Sequence, residues 1–109
     1  MNMVSFKLEE AIPHPTFNGV LLFPILNENE QLGIRSNFAL ILPGCEISPH
    51  THEVVEVFTI VSGNPQVLID NEWISITTGT TVVAPPGEIH GVRNTTSDNV
   101  MLQANFNCK

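Results

Sequence analysis

Seven apolar runs of four to eight residues are separated by residues that turn a chain, and no segment carries a helical period. The runs are 20–26, 37–42, 54–61, 66–69, 73–76, 81–84 and 100–106. Between them lie Pro43-Gly44, Gly63-Asn64-Pro65, Asp70-Asn71, Thr78-Gly79, Pro85-Pro86-Gly87 and Ser97-Asp98-Asn99. These residues accept positive φ, preset φ, or bond their own backbone in a turn. Short strands at this spacing indicate an all-β antiparallel sandwich or barrel. Composition agrees, because Val (11), Ile (10) and Thr (9) dominate while Ala occurs only four times, which is a strand-former's usage. A chain of 109 residues has room for one such core, so residues 1–109 are read as a single domain.

Charge narrows the partners. Four Lys and Arg against eleven Asp and Glu give a net charge of −7, with no basic run. A sequence-independent grip on phosphate has no source here, so neither nucleic acid nor an anionic membrane is an expected partner. No stretch approaches the roughly 20 apolar residues of a membrane span, and the first residues lack the pattern of a signal peptide. The expected location is cytoplasmic, and in a reducing compartment Cys45 and Cys108 are most simply free thiols. The run 54–61 is apolar on both faces, with Val54, Phe58 and Ile60 of one parity and Val55, Val57 and Val61 of the other. A second sheet or a partner subunit must cover the outer face, and a homodimer is the expectation. Trp73 is expected on an outer sheet face or at that contact.

Chemistry concentrates at three of the four histidines. His50 and His52, two apart, project from one face if they share a strand, and Glu56 keeps that parity. His90 follows Pro85-Pro86-Gly87, far enough along for a neighbouring strand to return beside the first pair. Three imidazoles and a carboxylate would then meet among Phe, Leu and Ile. Surface histidines that happen to alternate, or a hydrogen-bonded polar cluster without metal, would also give this pattern. Burying an uncompensated carboxylate costs several kcal/mol, however, and a divalent cation would relieve it. His14, in the proline-stiffened segment Ile12-Pro13-His14-Pro15, is read as a surface residue.

At these residues the chain resembles the cupin superfamily. The first motif runs Gly44, five residues, His50, one residue, His52, three residues, Glu56, six residues, Gly63. The second runs Gly79, five residues, Pro85, one residue, Gly87, two residues, His90, three residues, Asn94. The motifs occupy 44–63 and 79–94, about a third of the chain. The resemblance implies a double-stranded β-helix, the cupin or jelly-roll barrel, of six to eight strands. It also implies one divalent metal ion, Fe, Mn, Ni, Zn or Cu, held by His50, His52, Glu56 and His90. The segment between the motifs leaves room for a plain hairpin turning near Asp70-Asn71, and Asn94 is expected to bond backbone groups in the next turn.

Three imidazoles and one carboxylate on a six-coordinate ion leave two positions open, unlike a closed structural zinc site. The expected function is therefore that of an enzyme acting on a small organic molecule. Oxygenase-type chemistry, as in a dioxygenase, is ranked ahead of isomerase or lyase chemistry. A non-catalytic module that binds or senses a small ligand is the other reading. Glu56 would serve as both ligand and proton acceptor. By strand parity Phe38, Leu40, Phe58, Leu102 and Ala104 are expected to line a substrate pocket. Arg35 and Arg93 are read as outward surface residues; either one facing inward would give a carboxylate substrate a strong partner. Cys45 is read as a small residue in a tight turn.

Overall fold

In the computed structural model, which describes residues 3–27 and 31–108, the chain forms ten strands and one short 3-10 turn at Leu8–Glu10. The strands are β1 (Ile12–Pro13), β2 (Val20–Leu26), β3 (Ile34–Ile41), β4 (Glu46–His50), β5 (Glu56–Ser62), β6 (Gln66–Ile69), β7 (Glu72–Ser75), β8 (Thr81–Ala84), β9 (His90–Arg93) and β10 (Val100–Asn107). The larger sheet has the order β1-β2-β3-β10-β5-β8 and the smaller has β4-β9-β6-β7. All pairings are antiparallel, and the two sheets face each other as a jelly-roll barrel. The all-β expectation holds, with more strands than the six to eight implied by resemblance. Three of them match no apolar run: β1 has two residues, and β4 and β9, which lie within the two motifs, contain too few consecutive apolar residues to read as runs.

The core fills from alternate positions of both sheets. Ile41, Phe58, Ile60, Val67, Val92, Val100 and Leu102 are buried together, each burial worth roughly 1.5–3 kcal/mol. Their strands end where the sequence demands sharp turns. Asp70 and Asn71 both adopt positive φ, at 50° and 66°, and close the two-residue hairpin in which Ile69 pairs with Glu72. At Gly63 (φ 94°) a Cβ would lie 2.8 Å from the Asn99 carbonyl oxygen, so glycine is required for space as well as conformation.

Asn94, only 1% exposed, holds the turn after β9. Its Nδ2 donates to the carbonyls of Ile41 (3.0 Å) and Asp98 (2.7 Å), and its Oδ1 accepts from Thr96 N (3.0 Å) and Thr96 Oγ1 (2.6 Å).

The parity of β3 departs from expectation. Arg35, Asn37, Ala39 and Ile41 point into the barrel, while Phe38 and Leu40 point outward. The outward face is nevertheless apolar, because Phe6 from the N-terminal segment covers it with ring contacts of 5.1 Å to both Phe23 and Phe38. A strand buried on both faces carries no alternation from which to read its inward side. Phe38 and Leu40 are therefore core residues of an outer layer, and neither lines a pocket.

Cys45 and Cys108 are free thiols. Cys45 packs so closely on Gly19 that a Cβ there would lie 2.2 Å from its sulfur, which agrees with its reading as a small residue in a tight turn. Trp73 lies on the outer face of the smaller sheet beneath the Arg93 guanidinium, 4.2 Å from the ring centroid. Arg93 also donates from Nε to Gln66 Oε1 at 2.7 Å and faces outward, as expected. Among the described residues no helix is long and apolar enough to cross a membrane.

Candidate metal centre

Four side chains from three elements and one connection meet inside the barrel. His50 ends β4, His90 begins β9 and Glu56 begins β5, while His52 lies in the connection between the sheets. His50, His52 and Glu56 thus do not share one strand face, as spacing alone suggests; the chain crosses from the smaller sheet to the larger between them. The convergence has a different cause. The β4–β9 register shifts between Ile47 and His50, placing His50 directly opposite His90, and their rings lie 4.5 Å apart. This bulge turns both Ile47 and His50 inward although they are three residues apart. Gly91 permits it, because a Cβ there would stand 3.0 Å from the Ile47 carbonyl oxygen and 3.1 Å from the Pro49 nitrogen.

The imidazoles are oriented in one way. Nδ1 of His50, His52 and His90 lies 2.8, 2.9 and 2.9 Å from the carbonyl oxygens of Ser48, Val54 and Glu88 respectively. A carbonyl oxygen only accepts, so each Nδ1 carries a hydrogen and donates it. Every Nε2 is then left to present a lone pair in the neutral ring. The Nε2 atoms of His52 and His90 both stand 3.0 Å from Glu56 Oε1. Lone pairs facing a carboxylate oxygen at that distance repel unless a proton or a cation lies among them.

A divalent cation satisfies all four groups at once. The four donor atoms lie within 4.8 Å of one another, and donors at about 2.1 Å from one ion stand about 3 Å apart when adjacent. The backbone carbonyls behind each ring are the orienting partners that histidine ligands ordinarily have. His50, His52, Glu56 and His90 are thus a group that could hold a metal ion. Burial adds to the case: Glu56 is 8% exposed and His90 5%. Without a cation, the hydrogen bond that His90 donates to Glu56 raises the pKa of His90, against an opposing contribution from burial.

The centre opens into a cavity of about 460 Å³. Phe58, Leu102 and Ala104 line it as expected. Room arises because Ala39 and Ala104, both small, occupy inward positions on neighbouring strands. Two polar residues expected on the surface also line it. Arg35 turns inward with the parity of β3, and His14 is brought in by the connection after β1, its ring 4.6 Å from Phe17, which in turn lies 5.9 Å from His50. Proline stiffening marks that segment as rigid, but nothing in its sequence says where the rigid piece is anchored. A second cleft, of about 250 Å³, touches only His90 of the four ligands.

Comparison with known proteins agrees with this architecture. The Cupin_2 family model, described as a cupin domain, matches residues 37–104, and the chain belongs to that family. It is 26% identical over 97 residues to the uncharacterized protein MJ1618 of Methanocaldococcus jannaschii, covering 86% of this chain and 78% of that one. The plu4264 protein of Photorhabdus luminescens superposes with a TM-score of 0.83 at 18% identity, covering 100% of this chain and 90% of that one. A predicted oxalate decarboxylase of Thermotoga maritima superposes at 0.79 with 21% identity, covering 92% and 91%. Both structural likenesses are likenesses of fold.

Two outcomes follow. His52→Ala should lose most affinity for divalent metal, measured by calorimetry and elemental analysis, while circular dichroism shows a cooperatively unfolding β-protein; the apolar core does not depend on that ring. An unfolded variant would instead make the metal structural. In the metal-free protein, the raised pKa of His90 means that its pairing with Glu56 stabilises the fold below the ordinary imidazole value of 6.5 and ceases to do so as pH rises through the raised value. Metal affinity should rise over the same interval, because the proton must leave before Nε2 can ligate. Thermal unfolding of both forms across neutral pH reads the opposed slopes.

Proposed function

We propose that this chain is a metal-dependent cupin enzyme acting on a small organic molecule. The observation that carries this reading is the opening of the three-histidine, one-glutamate group onto the 460 Å³ cavity rather than into packed core. That volume falls within the ~300–1,000 Å³ range of small-molecule sites. A purely structural ion needs no such access.

The residues divide the work. His50, His52 and His90, held by carbonyls at their far nitrogens, keep their Nε2 atoms fixed toward one point. Glu56, the sole carboxylate of the group, completes the ligand set and is placed to accept a proton from a substrate beside it. Phe58, Leu102 and Ala104, together with Phe17 and Phe106, form walls that exclude water from the reacting molecule. A divalent metal bound here would supply Lewis acidity and, if iron or manganese, the capacity to react with dioxygen. We favour oxygenase-type chemistry. A lyase reading has one specific support, the fold likeness to the Thermotoga maritima protein described as a predicted oxalate decarboxylase. The setting proposed for this activity is the cytoplasm.

A second copy of the chain is proposed to cover the outer face of β5 and β8. Val61 and Val83 there are 46% and 62% exposed, and apolar residues grouped on a sheet face are commonly buried in symmetric dimers.

Dioxygen uptake by Fe(II)-loaded protein with a panel of small diketones, phenols and thiol acids tests the first proposal. Substrate-dependent uptake that disappears in His52→Ala is expected. Anaerobic turnover would move the assignment to lyase or isomerase, and binding without turnover would make the protein a binding module. For the second proposal, light scattering should give twice the protomer's 12.0 kDa, and a monodisperse monomer at micromolar concentration would contradict it.

A further inference from the structure

Arg35, Phe106 and Glu56 form one row across the larger sheet. Phe106 on β10 pairs with Arg35 of β3 on one side and with Glu56 of β5 on the other. Neighbouring strands are about 4.8 Å apart, so the guanidinium and the carboxylate start from backbones about 10 Å apart. Phe106 fills the interval. Its ring lies 4.2 Å from the guanidinium carbon of Arg35 and 5.5 Å from the ring of His52. One cation and the four-residue group thus face the same cavity with an aromatic surface between them.

Arg35 has no hydrogen-bond or ion-pair partner among the described residues; its one contact of that kind is with the Phe106 face. Among the described residues it is also the only Lys or Arg lining the cavity, in a chain that has just four such residues and carries a net charge of −7. Surface arginines of acidic proteins readily find carboxylates, yet this one is turned inward, where Glu56 is the one carboxylate lining the cavity among the described residues and its Oε1 is engaged by two histidines. No side-chain nitrogen among the described residues is both buried and unpartnered, so the guanidinium donors stay accessible from the cavity and are free to donate to a ligand's oxygens.

His14 adds a second donor to the cavity wall. Its Nδ1 accepts from the backbone N–H groups of Thr16 at 3.0 Å and Phe17 at 3.2 Å. The ring hydrogen must therefore reside on Nε2, and the side chain can only donate from that atom.

We propose that the cavity takes a small organic monocarboxylate, its carboxylate held by Arg35 and its reacting end directed over Phe106 toward His50, His52, Glu56 and His90. This inference rests on the enzyme reading above and specifies the substrate class for that same site. A planar guanidinium matches a carboxylate in two parallel hydrogen bonds. Apart from the metal group, Arg35 is the one cationic side chain of the lining among the described residues and no helix N-terminus borders it, which at that end suits a carboxylate better than a phosphate dianion. The apolar walls at Phe17, Leu22 and Val92 suit a hydrocarbon body between the two polar ends.

The test uses the full chain, Ni(II)-loaded and metal-free, titrated with benzoate, salicylate and pyruvate and with the corresponding amides. Binding is read by calorimetry and thermal shift. At least one acid should bind at least about tenfold more tightly than its amide. Arg35→Gln should abolish that preference while elemental analysis shows unchanged metal content, and Arg35→Lys should restore part of it. A guanidinium that merely braced Phe106 would alter acids and amides alike. Equal binding of acid and amide, binding of no acid at all, or a preference that survives in Arg35→Gln would each overturn the proposal. The metal-free arm separates it from the metal assignment: if the protein takes up no metal, the enzyme reading fails, while a weaker acid preference dependent on Arg35 still supports the carboxylate site.

Discussion

A carboxylate that is almost fully buried, with two imidazole nitrogens 3.0 Å from the same oxygen, governs the interior of this barrel. Backbone carbonyls fix the far side of each ring, so the near nitrogens present lone pairs to a group that also has only lone pairs to offer. Two added protons or one divalent cation can resolve that conflict. The proton solution puts two positive charges side by side in a desolvated space, whereas the cation solution uses all four donors, His50 included, around one centre. The bulge in β4 and the absence of a side chain at Gly91 both serve to bring these strand ends together.

The barrel supplies a rigid frame that does not depend on the polar group. Ile41, Ile60, Val67 and Val100 are inaccessible and lie along the strands away from the histidines, so packing fixes the backbone from which each ligand is presented. This separation lets one family of barrels carry different chemistries, with fold and ligand set shared while the remaining cavity wall decides what can enter. In this chain the titratable or charged wall residues outside the ligand group are, among the described residues, Arg35 and His14.

Much of the architecture was legible because turns and apolar runs are local signals. The hairpin at Asp70-Asn71, the left-handed glycines and the hydrogen bonds of Asn94 follow from residues a few positions apart. The four ligands were legible from their spacing and from the resemblance that spacing supports, although the geometry behind their convergence was not. A strand parity linking His50, His52 and Glu56 gave the right group for the wrong reason, since a bulge and a crossing between sheets do the work. The inward side of β3 was hidden because its outer face is covered as well: Phe6 packs on Phe38, and Leu40 is buried like Ala39 and Ile41. Once the parity is reversed, Arg35 and Asn37 face the cavity and their polarity has a purpose. His14 depended on a long-range placement of the lead-in segment, which no local pattern encodes.

X-ray absorption on protein loaded with Zn(II) or Ni(II) addresses the coordination directly. It should show a light-donor shell with three imidazole rings per metal, at about 2.0–2.2 Å; His50→Ala, His52→Ala and His90→Ala should each bind metal more weakly, and the metal retained at saturating concentration should have one ring fewer. A shell containing sulfur, or a metal whose environment is unchanged when any of those three histidines is replaced, would contradict the assignment of His50, His52, Glu56 and His90 as its ligands.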